Sequence, residues 1–177
     1  MNAEWDFAKT WVGALNERTK AHDAKIVGLY KQFIYSWISF VFIGRCFSGG
    51  GERVMIDSLK RELKPSFATE FYNRNTALIK KLDALKVKND TRPNNPTEKA
   101  DKLTQSLNSS NFNGVEVLNA VIDVLYVVRC NLFHGPKVWA RQRDNNIMDV
   151  ASPLMLALVE QIQKDPINSL SNPSIIS

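Results

Sequence analysis

Residues 115–133 read VEVLNAVIDVLYVVRCNLF, and the segment leaves little choice of structure. Leu118, Ile122, Leu125 and Leu132 recur at steps of three and four, the spacing that gathers side chains on one face of a helix. The same rhythm passes through Arg129, so a guanidinium stands at a position the pattern reserves for core. Beside that line, Asn119, Asp123 and Tyr126 form a polar row at steps of four and three. A polar seam inside a buried helix costs free energy unless it is satisfied. The arginine therefore needs a partner or a purpose.

The rest of the chain follows the same period. Strand-like alternation bounded by turn residues is hard to find, so the expected fold class is all-α, an antiparallel helix bundle. A helix is expected over residues 6–19, with Phe7, Trp11, Val12 and Leu15 on one face, and a longer one over residues 23–47 that stops at the glycines of SGGG. Residues 52–63 form the next, closed by Lys64-Pro65. Ser66 is expected to cap a fourth, in which Phe67, Phe71, Leu78, Ile79, Leu82 and Leu85 return at helical intervals. The stretch KNDTRPNNPT, residues 88–97, has no apolar residue and reads as a surface loop. A short helix over 97–108 and a last one over 144–164 complete the set. The last is expected to bend or restart at Ser152-Pro153, because an interior proline loses a hydrogen bond and crowds the preceding turn. Residues 1–165 make a single domain by length, and residues 166–177 a flexible tail.

Composition narrows the class of protein. With 44% apolar and 23% charged residues the chain is ordinary for a globular domain, and neither disorder nor a fibrous repeat is suggested. Its formal charge of +5 is compatible with a polyanionic partner without requiring one. Cys46 and Cys130 are the only cysteines, which disfavours a disulfide framework and fits a reducing cytoplasm. The opening MNAEWDFAKT lacks the basic and apolar regions of a signal peptide. The most apolar segment, FIYSWISFVFIG at residues 33–44, is shorter than a membrane span needs and reads as a core helix, so no membrane partner is expected.

The chemistry-bearing residues gather where the central helix ends. His134 follows Arg129 by five residues, about 140° around an ideal helix, so the two share a face only if the chain turns. Gly135 and Pro136 supply a reason to turn: with Gly135 in the left-handed conformation, His134 becomes the cap and can swing toward Arg129. On a purely structural reading, Arg129 pairs with Asp123 or a neighbouring helix and His134 caps carbonyls. Lys137, Arg141 and Arg143 bracket Trp139, an arrangement suited either to RNA backbone and base stacking or to a solvated basic loop. Arg45 and Arg53 are lesser candidates. His22, the other histidine, has no motif around it. No Cys/His cluster has zinc spacing, and SGGGER lacks the Lys-Ser/Thr of a phosphate-binding loop, so neither a metal nor a nucleotide cofactor is expected.

The run VLYVVRCNLFHGPK resembles the R-x4-H motif of HEPN domains, a superfamily of helical ribonucleases and nucleotide-binding modules. The aromatic pattern of FIYSWISFVFIGRCF is similar to an earlier helix in some groups of that family. The resemblance implies a HEPN-like bundle and a metal-independent endoribonuclease, with Arg129 and His134 as catalytic residues and no cofactor. In such enzymes the pair promotes attack of a ribose 2′-hydroxyl on the adjacent phosphodiester. Histidine titrates near neutrality and serves as acid or base, while arginine stays charged and forks onto phosphate oxygens. It also implies a homodimer, which brings two histidines to one cleft, RNA as partner, and a toxin-antitoxin or phage-defence setting with an antitoxin protein. Asn131, Lys137, Arg141, Tyr126 and Asp123 are the expected RNA-binding or supporting residues. Where the family most often has Asn directly after the arginine, this chain has Cys130, with Asn131 one place later. The alternatives are a HEPN module that binds RNA or a nucleotide without cutting it, and a structural helical protein.

Overall fold

The computed structural model describes residues 21–90, 94–134 and 142–164, and among them the chain is all-α. Six helices follow in order: α1 (Ala21–Arg45), α2 (Glu52–Glu62), α3 (Pro65–Ala84), α4 (Glu98–Asn108), α5 (Gly114–His134) and α6 (Gln142–Lys164). The expected helix over 6–19 and the expected tail lie outside the described residues.

α5 is the hub. Val117, Leu118, Val121, Ile122, Val124, Leu125, Val127, Val128 and Leu132 are all buried, so the helix is covered nearly all round. It is started by a reciprocal cap: the Asn113 side-chain oxygen accepts from the amides of Val115 and Glu116, and its amide donates to Glu116 Oε1. α3 and α4 pack against α5, and α6 packs on α1 and α3. Lys25 pairs with Asp149 and Ser152 with Gln32, so position rises along α1 and α6 together and the two cross in a parallel sense. α4 and α5 run antiparallel, Lys99 facing Asp123 and Ser109 facing the Glu116 end. A single apolar core extends from Tyr30 to Ile162.

Several local expectations need correction. α1 stops at Arg45, and its end is closed by tight turns from the amides of Cys46 and Phe47 to the carbonyls of Ile43 and Gly44. The one SGGG glycine with positive φ is Gly50, at +115°, which shapes the approach to α2 rather than the stop of α1. Gly44 matters for packing instead: a Cβ there would come within 3.0 Å of the Met55 carbonyl oxygen, so α1 and α2 approach backbone to backbone. Ser66 does not cap α3. Lys64 is the cap, without a side-chain hydrogen bond, and Pro65 opens the helix because its fixed φ and missing N–H cost nothing there. α3 ends through Lys86 at φ 45°, a left-handed residue that is not glycine. Lys86 is held there by its side chain, which bonds Asp83 and Thr104.

α6 runs without interruption through Pro153. Packing outweighs the lost backbone bond, because Ala151, Ser152, Leu154 and Met155 are all buried beside the proline. In α1, residues Lys25–Arg45 are long and apolar enough, by length and composition, to cross a membrane. One side of that helix, with Phe33, Trp37 and Phe40, is buried in the core, while Tyr35, Ile38 and Phe42 are exposed.

Candidate functional site

The polar row of α5 forms one half-buried seam on an otherwise buried helix. At about 100° per residue, Arg129, Tyr126, Asn119, Cys130 and Asp123 fall within a single arc of roughly 120°. Each of them is of intermediate burial, Ile122 being the one fully buried residue within the arc, whereas Val121, Leu125 and Val128 outside it are buried. α2 faces this seam with Glu52, Arg53 and Lys60, and the pairs run antiparallel: Glu52 meets Arg129 and Lys60 meets Asp123.

Arg129 is engaged on two sides. Its Nη2 lies 2.9 Å from Glu52 Oε2, and its guanidinium carbon sits 4.9 Å from the centre of the Phe133 ring. The side chains of Arg129 and Glu52 are 21% and 23% exposed, so the pair is neither free in solvent nor sealed from it. The other oxygen of Glu52 accepts the indole N–H of buried Trp37 at 2.7 Å. One carboxylate therefore links α1, α2 and α5. Of the two partners a structural reading offers Arg129, Asp123 is not the one used; a neighbouring helix supplies Glu52.

Asp123 has a different role. Its Oδ1 receives Lys60 Nζ at 2.6 Å and Arg53 Nη1 at 3.0 Å, and Lys99 Nζ lies 3.6 Å from Oδ2. Burial alone would raise this carboxyl, but the Lys60 hydrogen bond and the charges of Lys60, Arg53 and Lys99 together hold it below its ordinary value. Lys60, only 10% exposed and sharing that single carboxylate with two other cations, is pulled down by burial. Arg53 also bonds Asp57 and lies over the Tyr126 ring at 5.4 Å, and Tyr126 packs on Trp37. Burial, and after it Cys130, pushes the Tyr126 phenol up. Asp123 and Tyr126 thus hold the seam together. Next to Asp123, Asn119 and Lys102 line a groove of about 370 Å³ between α4 and α5.

Asn131 lies on the far side of α5, about 200° from Arg129. Its oxygen accepts the Asp90 amide at 3.0 Å, and its side-chain amide donates to the Lys88 carbonyl at 2.6 Å. Both ends of the side chain pin the loop after α3, to which Arg143 also adds a bond at the Lys86 carbonyl. Asn131 therefore does not stand beside Arg129 but is spent on holding the loop. His134 is the last residue of α5, and its side chain, with Lys137, Trp139 and Arg141, lies outside the described residues.

No family model, curated protein or solved structure matches this chain.

Sequence reasoning singled out α5 but missed Glu52, Lys60 and Lys99, and ranked Arg53 low. Glu52 reads as an ordinary acidic residue in the first turn of a helix, where it complements the helix dipole. The one available signal was the seam itself: a buried helix carrying Asp123 and Arg129 requires one cation and one anion from elsewhere.

Proposed function

We propose that this chain is a metal-independent, HEPN-type endoribonuclease acting in the cytoplasm, in a toxin-antitoxin or phage-defence system. The observation that carries the reading is Arg129: a guanidinium held at the half-buried edge of α5, five residues before His134 ends that helix. The all-α architecture and the RCNLFHG run support it. In the reaction, the ribose 2′-oxygen attacks the adjacent phosphorus and gives its proton to a base. The 5′-oxygen leaves with a proton from an acid, and a 2′,3′-cyclic phosphate remains. His134 serves as acid or base, and Arg129 stabilises the charge that develops on the phosphoryl oxygens. A homodimer supplies the second histidine.

A second reading is favoured by one specific observation. Arg129 already carries a carboxylate partner, and Asn131 is committed to the loop, which suits a module that binds RNA or a nucleotide without cutting it. The two readings separate in one tube. With purified protein, total RNA and excess EDTA, cleavage is expected to persist and to leave 2′,3′-cyclic phosphate ends. Strict dependence on added magnesium or manganese removes the endoribonuclease mechanism, and binding without cleavage selects the second reading. Sedimentation at the same protein concentration is expected to give a dimer; a monomer that cleaves at full rate contradicts the shared site.

A further inference from the structure

The Glu52 carboxylate is more firmly placed than an ordinary surface acid. Its Oε1 accepts from Trp37 Nε1 at 2.7 Å, and Trp37 is itself buried, stacked on Phe33 and tilted against Phe40 and Tyr126. Glu52 is also the first residue of α2, where the helix dipole favours negative charge. An acceptor fixed from the core on one oxygen cannot swing away to release whatever the other oxygen holds. What it holds is Arg129 Nη2, at 2.9 Å. The Phe133 ring lies beside the same guanidinium at 4.9 Å, so the plane of the arginine is constrained from two directions. A planar fork engages a phosphodiester at lower entropic cost and in a better defined geometry when its orientation is set in advance.

We infer that Glu52, anchored by Trp37, is the positioning residue that fixes the Arg129 guanidinium for an RNA phosphodiester. The inference rests on the RNA-directed reading of the site above. Glu52 does not touch the substrate; it acts through Arg129.

Glu52→Gln is the informative variant, since the amide oxygen can still accept from Trp37 while its nitrogen cannot accept from Arg129. Two readouts are taken with folded protein, checked by thermal melting. One is cleavage of a random-sequence RNA pool, and the other is binding of the same pool made as uncleavable 2′-O-methyl RNA at high salt. In cleavage, Glu52→Gln is expected to lower kcat about tenfold or more with KM changed far less. In binding it is expected to lower affinity about fivefold, and to have no further effect in an Arg129→Ala background, because residues acting as one unit are not additive. Trp37→Phe keeps an aromatic side chain at this core position, smaller than the indole, and removes the N–H; it gives a smaller loss in both readouts, and it decides the matter if Glu52→Gln does not fold. A wild-type protein that binds the pool but does not cut it ends the ribonuclease reading, and the binding arm alone then judges Glu52. Unchanged or tighter binding, or an undiminished cleavage rate, in the folded variants overturns the positioning role while leaving the RNA-directed reading standing. A wild-type protein that neither binds nor cuts overturns both.

Discussion

Arg129→Ala is expected to lower the proposed RNA cleavage by at least about 100-fold, the scale seen when one preorganised donor to a developing oxyanion is removed. The cost in stability is expected to be far smaller in consequence. Removing the guanidinium strips one partner from Glu52, which keeps its bond to Trp37 and is exposed enough for water to replace the arginine. That loss is about 1–3 kcal/mol, a fall in melting temperature of several degrees for a chain of this size. Arg129→Lys sharpens the test, because lysine keeps the charge and loses the planar fork. Both variants are expected to fold and to fail to cut RNA. A wild-type rate in either folded variant removes Arg129 from the chemistry. A variant that unfolds at room temperature shows that the ion pair is chiefly structural.

Asp123 is expected to behave in the opposite way, with its effect falling on the fold. Asp123→Asn leaves Lys60, 10% exposed, without the carboxylate it faces, and removes the shared anion from Arg53 and Lys99. Breaking a buried pair by deleting one partner costs about 3–5 kcal/mol, on the order of 10 °C in melting temperature here. The pH dependence identifies the cause. The folded-state pKa of Asp123 lies below its unfolded value, so its stabilisation is fully present above the unfolded value and is lost as the pH falls through the folded one. The stability gap between wild type and Asp123→Asn, measured by urea unfolding, should therefore be widest near neutrality and narrow below about pH 4. A gap that stays constant into acid assigns the loss to packing instead of charge.

The helices were legible because their signals are local. A period of three and four in residues 115–133, a loop without apolar residues at 88–97 and a proline after Lys64 each act within a few residues. What reads poorly at that range is anything settled by competition between neighbours. Ser66 looked like a cap until Pro65 took the first helical position, and a left-handed stop fell on Lys86, where side-chain bonds to Asp83 and Thr104 stand in for glycine.

For the site, the sequence by itself determined that one buried helix carries Asn119, Asp123, Tyr126 and Arg129 on an edge that has to be satisfied. Which groups answer them was decided only in three dimensions. Glu52 reaches Arg129, and Lys60 reaches Asp123, because α2 lies antiparallel along the seam after Gly44 has let it approach α1. The reason is physical. Helix formation is encoded in contacts three and four residues apart, whereas the neutralisation of a buried charge depends on whichever distant helix the apolar core brings alongside it.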